Sequence, residues 1–329
     1  MNKFGIATVA VMALTGAVSA DFRTDAVEGA IDGTHLLRSM GSFSKSQLNA
    51  MRGVSQKASA LYSVNWDTDS NGATYSTGNI STANLTPGQG GWITYASGSG
   101  TNMSNYKINA GRPAGSTAGS GVKALQMTST STSGARFLYQ DLSSQWAARN
   151  AGDNIFWGEY QSYFAASQTS IQRAGNIAYD TTGSKILSGM YTQTGASTAS
   201  TVARGSVFGF ANYNNGGTVN NFVFNLSAGG GPVANVAGWT NYAYNFNKTS
   251  GRVEWFLSTD GGANYTGFYV DGAAAGSNVL ETDYYSAAAT GNEAAGSMIF
   301  GAANFYATPA PGAAALVGLA GLMARRRRA

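Results

Sequence analysis

The stretch GWTNYAYNFNKTSGRVEWFLSTDGG, residues 238–262, carries the clearest structural pattern in the chain. Within it Thr240, Tyr242, Tyr244 and Phe246 alternate with Asn241, Ala243 and Asn245. After a Lys-Thr-Ser-Gly break, Val253, Trp255 and Leu257 alternate with Arg252, Glu254 and Ser258, although Phe256 falls on the second face. Side chains of a strand point alternately to opposite faces, so this period of two predicts a pair of half-buried antiparallel strands. The run Ser258-Thr259-Asp260-Gly261-Gly262 and the later Tyr265 have the S-x-D-x-G-x-x-aromatic form of an Asp-box turn. Glycine tolerates positive φ and aspartate bonds the local backbone, so the run reads as the close of a hairpin.

The same texture extends outward over residues 62–306. Further short β-type runs stand at Val122–Thr128, Ala135–Gln140, Ile155–Phe164, Ile186–Thr192, Val207–Tyr213, Phe222–Leu226, Tyr265–Val270 and Met298–Gly301. Gly, Ser, Asn and Thr separate them, and no convincing helix or long repeat intervenes. The expected fold is all-β, an antiparallel β-sandwich or jelly roll. Composition agrees: aromatics at 12% exclude a disordered chain, and 44 Gly with only 5 Pro and no three-residue period exclude collagen. The sequence has no Cys and one His, His35, which removes disulfides, thiolate nucleophiles and multi-histidine metal sites within one chain.

The formal charge of +4 comes from the ends. Removing Lys3 and Arg325, Arg326, Arg327 and Arg328 from the 20 basic residues leaves 15 against 16 acidic ones. Such a balance has no electrostatic footprint for nucleic acid, and none is expected as a partner. Lys3 precedes an apolar stretch from Phe4 to Val18, and Val18-Ser19-Ala20 supplies small residues before Asp21. That layout predicts a signal peptide over residues 1–20, cleaved before Asp21. At the other end Pro309-Ala310-Pro311-Gly312 leads into the apolar run Ala313 to Ala324 and the four arginines. A helix of that length covers about 18 Å, short of a ~30 Å hydrocarbon core, and the arginines would hold it on the cytoplasmic side. This is the form of a transient membrane anchor.

That tail, TPAPGAAALVGLAGLMARRRRA, resembles a PEP-CTERM sorting signal, the tag that exosortases recognise in bacteria that make extracellular polysaccharide. Ala310 stands where the motif has Glu, so the sorting-enzyme subtype stays open. The resemblance implies an exosortase-type partner, passage through the inner membrane, and delivery to the cell surface or extracellular matrix. Domain boundaries follow: signal peptide 1–20, a helical arm or linker 21–61, a sandwich 62–306, and a sorting signal 307–329. In the arm, Leu48, Met51, Val54, Ala58 and Leu61 follow three- and four-residue spacing and predict one helix from Ser44.

The order of pieces in the sandwich also resembles the concanavalin-A-like lectin/glucanase family in its laminin-G-like form. The resemblance rests on Trp66-Asp67, GQGGW at residues 88–92, VKALQM at 122–127, the opening stretch at 238–262 and YTGFYVDGAAAG at 265–276. It implies a glycan-related role. Trp92 and Trp146, set among polar residues, are the candidate glycan contacts, against the alternative that tryptophans fill the core. Asp67-Thr68-Asp69-Ser70-Asn71-Gly72 matches the first half of a calcium loop, although Gly78 at the twelfth position supplies no carboxylate. Asp67, Asp69 and Asn71 therefore stand as candidate ligands of a structural Ca²⁺, or as a solvated Asx turn.

Retaining glucanases on this fold carry clustered carboxylates on one strand. Here Glu281-Thr282-Asp283 has no third acid, Glu159 and Glu254 stand alone on their strands, and no G-x-S-x-G elbow occurs. The expectation is a non-catalytic, structural or adhesive surface protein that binds extracellular glycan. The competing class is a secreted glycosidase or lyase with a non-standard carboxylate pair.

Overall fold

The computed structural model describes residues 26–27, 29–52, 58–96, 102–116, 121–129, 135–168, 170–196, 202–215, 218–271, 275–288 and 296–309. The first nine strands are β1 (Ile31–Asp32), β2 (Arg38–Ser44), β3 (Ser59–Val64), β4 (Gly78–Asn79), β5 (Ile93–Ala96), β6 (Tyr106–Asn109), β7 (Ala124–Ser129), β8 (Ala135–Asp141) and β9 (Ile155–Tyr163). The second nine are β10 (Gln172–Asp180), β11 (Ile186–Gln193), β12 (Val207–Asn215), β13 (Thr218–Asn225), β14 (Trp239–Asn247), β15 (Val253–Ser258), β16 (Asn264–Val270), β17 (Val279–Ala288) and β18 (Gly296–Thr308). Two short helices, α1 (Lys45–Met51) and α2 (Ser143–Ala148), interrupt them.

The strands form two sheets. The eight-stranded sheet runs β1-β13-β12-β11-β10-β17-β8-β5, and the ten-stranded sheet runs β2-β16-β15-β14-β9-β18-β7-β6-β4 with β3 beside β18. Pairing is antiparallel throughout the described strands except for the parallel contact of β1 with β13. The all-β sandwich expected from the alternation is the observed fold. The pairing of Tyr244 with Trp255 sets the register of the β14–β15 hairpin.

The faces divide as the alternation predicts. Tyr242, Tyr244, Phe246, Val253, Trp255 and Leu257 enter the main core between the sheets. Phe256 joins a second cluster with Leu48, Trp157 and Tyr265 on the outer face of the ten-stranded sheet. A further outer cluster, including Phe137, Tyr191, Phe208 and Tyr285, belongs to the eight-stranded sheet. Aromatic rings also stack across neighbouring strands, with Tyr160 of β9 and Tyr242 of β14 face to face at 4.6 Å between centroids.

Residues 29–52 are woven into the sheets rather than set apart as an arm. β2 forms the edge of the ten-stranded sheet and pairs with β16 from Asn264↔Ser44 to Tyr269↔Arg38. The helix expected from Ser44 to Leu61 is shorter: α1 ends at Met51, and Ser59–Val64 is strand. Its start is specified locally by a capping box, in which the Ser44 hydroxyl accepts from the Gln47 N–H and the Gln47 side chain accepts from the Ser44 N–H. The stripe fails after Met51 because Leu61 and Val64 gain a place in the main core as strand residues beside β18. Val54 lies outside the described residues.

The signal-peptide positions Val18, Ala20 and Asp21 and the sorting residues Ala310, Pro311, Gly312 and Arg325–Arg328 also lie outside the described residues; Pro309 is the last one described. No helix among the described residues is long and apolar enough to cross a membrane.

Candidate functional site

Neither proposed glycan tryptophan reaches the surface. Trp92 is 0% exposed and Trp146 2%, and all six tryptophans belong to the buried set. The Trp92 indole lies within 5.8 Å of the Tyr62, Trp66 and Tyr284 rings, and its Nε1 donates to the hydroxyls of Tyr62 (3.1 Å) and Tyr75 (3.0 Å). Trp146 packs on Phe156, gives its Nε1 proton to Asn278 Oδ1 and carries the Arg149 guanidinium 3.9 Å from its ring centroid. Polar sequence neighbours misled the reading. An indole buries 150–250 Å² whatever flanks it, and its N–H finds a partner inside.

The aspartate loop is organised by the protein's own donors. Asp69 Oδ2 accepts from the Tyr62 and Tyr75 hydroxyls, both at 2.9 Å, while Oδ1 accepts from the N–H groups of Asn71 and Ala73. Asp67 Oδ2 accepts from Val122 and Lys123 N–H, so it turns away from its neighbour to hold the segment that leads into β7. Asn71 lies exposed at the tip. Among the described residues no three His, Asp or Glu side chains cluster closely enough to hold a metal ion between them. Burial, with the neighbouring Tyr75 and the Asp69 carboxylate adding to it, pushes the Tyr62 hydroxyl far above its ordinary value, so it remains a donor.

A cavity of about 450 Å³ opens on the outer face of the ten-stranded sheet. Its floor follows from strand register. Inward-facing Tyr160 and Tyr242 leave Glu159, Gln161 and Asn241 pointing outward, and pairing sets Asn241 opposite Gln161 and Asn304 opposite Glu159. Three adjacent strands, β14, β9 and β18, thus present a plate of carboxamides and one carboxylate. Lys45 and Arg52 of the α1 segment form one wall; Gly261, Gly262 and Tyr265 of the β15–β16 turn form another.

Arg52 ties wall to floor. Its Nη1 lies 2.8 Å from Glu159 Oε1, and its guanidinium carbon stands 5.4 Å from the Trp157 ring centroid and 5.9 Å from that of Tyr265. The Tyr306 hydroxyl also donates to Glu159 Oε1. Burial raises Tyr306 well above the ordinary tyrosine value, helped by the adjacent Glu159 charge, so the hydroxyl stays protonated. The Gln161 amide donates to Asn241 Oδ1, and Gln161 Oε1 accepts from Ser116. The turn beneath Gly262 is the expected aspartate turn: Asp260 Oδ1 accepts from Ala263 and Asn264 N–H, and Gly261 and Gly262 take φ of 74° and 86°.

The cavity can hold a hydroxyl-rich ligand, since carboxamides both donate and accept. Its two carboxylates are both engaged by protein groups. Asp69, at the rim, is saturated by four protein donors, and Glu159 is neutralised by Arg52. Glu281 and Asp283, the Glu-x-Asp of β17, are 3% and 0% exposed inside the eight-stranded sheet. The sequence reading missed Arg52, Gln161, Asn241 and Asn304. A faint signal existed, since Glu159 and Gln161 share one parity of β9 as Asn241 and Asn245 do of β14, but their meeting depends on a register that no local pattern specifies.

No protein-family model and no curated protein matches the chain. Comparison with solved structures finds the receptor-binding domain of botulinum neurotoxin mosaic serotype C/D, at 6% identity and TM-score 0.36 over 76% of this chain and 48% of that one. The alginate lyase from Klebsiella pneumoniae aligns at 9% identity and TM-score 0.35, over 56% of this chain and 79% of that one. A lectin from Bauhinia forficata in complex with GalNAc aligns at 12% identity and TM-score 0.34, over 67% of this chain and 99% of that one. The chain thus spans about half the length of the toxin structure.

Proposed function

We propose that this is an exported, surface-sorted bacterial protein whose sandwich holds extracellular glycan without transforming it, in a structural or adhesive role. The observation that carries the glycan reading is the outward plate of Gln161, Asn241, Asn304 and Glu159 flooring a cavity of about 450 Å³. Planar amides on a rigid sheet suit sugar hydroxyls, and cavities of roughly 300–1,000 Å³ are the usual size for small-ligand sites. The saturated Asp69 and the ion-paired Glu159 favour binding over hydrolysis. The sorting part rests on the two ends of the sequence, with an exosortase-type enzyme as partner and the inner membrane as a transient station.

The full-length protein, incubated with the host's extracellular polysaccharide, should be retained by it and should release no new reducing ends or unsaturated products. Products that vanish on Glu159→Gln would move the protein to the glycosidase or lyase class. Absence of retention would remove the glycan reading. Independently, replacing Arg325–Arg328 by alanine should block tail processing and surface delivery; unchanged delivery would refute the sorting part.

A further inference from the structure

The cavity has an imbalance in its hydrogen bonding. Three of its buried polar atoms have no partner among the described residues: Arg52 Nε, Arg52 Nη2 and Asn241 Nδ2. All three are donors. Arg52 is 5% exposed and Asn241 8%, so bulk water does not serve them. Leaving a buried donor unmade is costly, more so on a charged group, and such atoms concentrate at sites completed by something else. Three of the nearby acceptors are already engaged: Glu159 Oε1 by Arg52 and Tyr306, Asn241 Oδ1 by Gln161, Gln161 Oε1 by Ser116.

Which edge of the guanidinium is unpaired matters chemically. Glu159 and Asn49 take Nη1. Nε and Nη2 form the side edge of the fork, two parallel N–H groups spaced to match the two oxygens of one carboxylate. A sugar hydroxyl brings a proton of its own to such a place, whereas a carboxylate brings only acceptors. Lys45 stands exposed at the lip with no ion pair among the described residues, adding a second cation on the same wall.

We propose that the cavity reads an acidic sugar, with the carboxylate of a uronic acid residue taken by the Nε–Nη2 edge of Arg52 and by Asn241 Nδ2, and with Lys45 guiding entry. This rests on the glycan reading above and narrows it to a class. Formal charges around the cavity balance, Lys45 and Arg52 against Asp69 and Glu159, so selectivity comes from short-range hydrogen bonding rather than a long-range field. The donors are sealed in this conformation, so a ligand reaches them by displacing part of the wall, of which Lys45 and Gly261 are the exposed elements.

The test uses the full-length chain and calorimetric titration with short oligouronides of several linkages, each beside its carboxyl-reduced counterpart. At least one acidic oligomer should bind about tenfold tighter than its reduced form, the scale of one charge-assisted contact. Asn241→Asp, which replaces a donor by a like charge at nearly constant shape, should abolish that preference. Arg52→Lys, which keeps the charge and loses the fork, should also abolish the preference for the acidic oligomer over its reduced form. Should Arg52→Lys fail to fold, Asn241→Asp and the lip variant Lys45→Ala still decide, the latter lowering acidic binding by about threefold. Equal binding of acidic and reduced oligomers overturns this inference and leaves the glycan reading standing. Binding of neither overturns both.

Discussion

Removing Glu159 tests how the cavity is built. Arg52 Nη1 and Glu159 Oε1 lie 2.8 Å apart, with side-chain exposures of 6% and 25%. At an effective dielectric of about 20, unit charges roughly 4 Å apart attract by about 4 kcal/mol, and desolvation of the guanidinium takes back much of it. Glu159→Ala leaves Arg52 charged between Trp157 and Tyr265 with three of its nitrogens lacking a carboxylate or carbonyl of comparable strength. Loss of one partner from a fully buried pair costs about 3–5 kcal/mol, and a quarter-exposed partner lowers this to about 2–3 kcal/mol. Arg52→Met should cost less, about 1–2 kcal/mol, because the Glu159 carboxylate can turn toward water while methionine retains contact with the rings. The double variant should therefore lose about 1–2 kcal/mol less than the sum of the singles. Urea unfolding of the four proteins measures this coupling. Additivity within about 0.5 kcal/mol would show that the pair does not hold α1 to the sheet, and the wall of the cavity would need another explanation.

Trp92→Phe should destabilise by about 2 kcal/mol, since it leaves a gap and removes the N–H that the Tyr62 and Tyr75 hydroxyls accept, while both keep their bonds to Asp69 and ligand affinity measured below the transition stays within about twofold. Asp69→Ala should cost about 2–3 kcal/mol by releasing two tyrosine hydroxyls and two backbone N–H groups, and the loss should be the same in Ca²⁺ and in chelator. The Asn264 N–H, then the Asn264 side chain and the Ser258 hydroxyl, hold the Asp260 carboxyl down at about 2, below its unfolded value near 3.9. Its contribution is therefore complete above about pH 4 and fades as pH falls toward about 2, so Asp260→Asn should flatten that part of the acid-unfolding curve relative to the parent protein.

The β14–β15 hairpin was legible because one face is aromatic and the other is not. β10 and β17 were not legible, although they sit at the centre of the eight-stranded sheet. β10 carries Gly175, Asn176 and Asp180, which locally resemble loop residues. Gly175 is needed because a Cβ there would stand 2.0 Å from the Met190 carbonyl oxygen across the sheet. Asn176 is 0% exposed because its amide donates to the Asp283 carbonyl and its oxygen accepts from Tyr244 and Thr282 hydroxyls. Polar residues satisfied by distant strands carry no local hydrophobic signal. The candidate site was hidden for a related reason. Glu159, Asn241 and Asn304 lie far apart in sequence, and only the β14-β9-β18 register makes them neighbours. The tryptophans misled in the opposite direction, since the polar residues beside Trp92, just ahead of β5, and Trp146, in α2, say little about the burial of the ring itself.

The most direct test of the account is mapping of the bound glycan by hydroxyl-radical footprinting of the full-length protein, with and without saturating host polysaccharide. The account predicts protection concentrated at the exposed cavity residues Lys45, Thr68 and Asn304, with little change on the outer face of the eight-stranded sheet. Protection confined to that other sheet, or none at saturation, would contradict it.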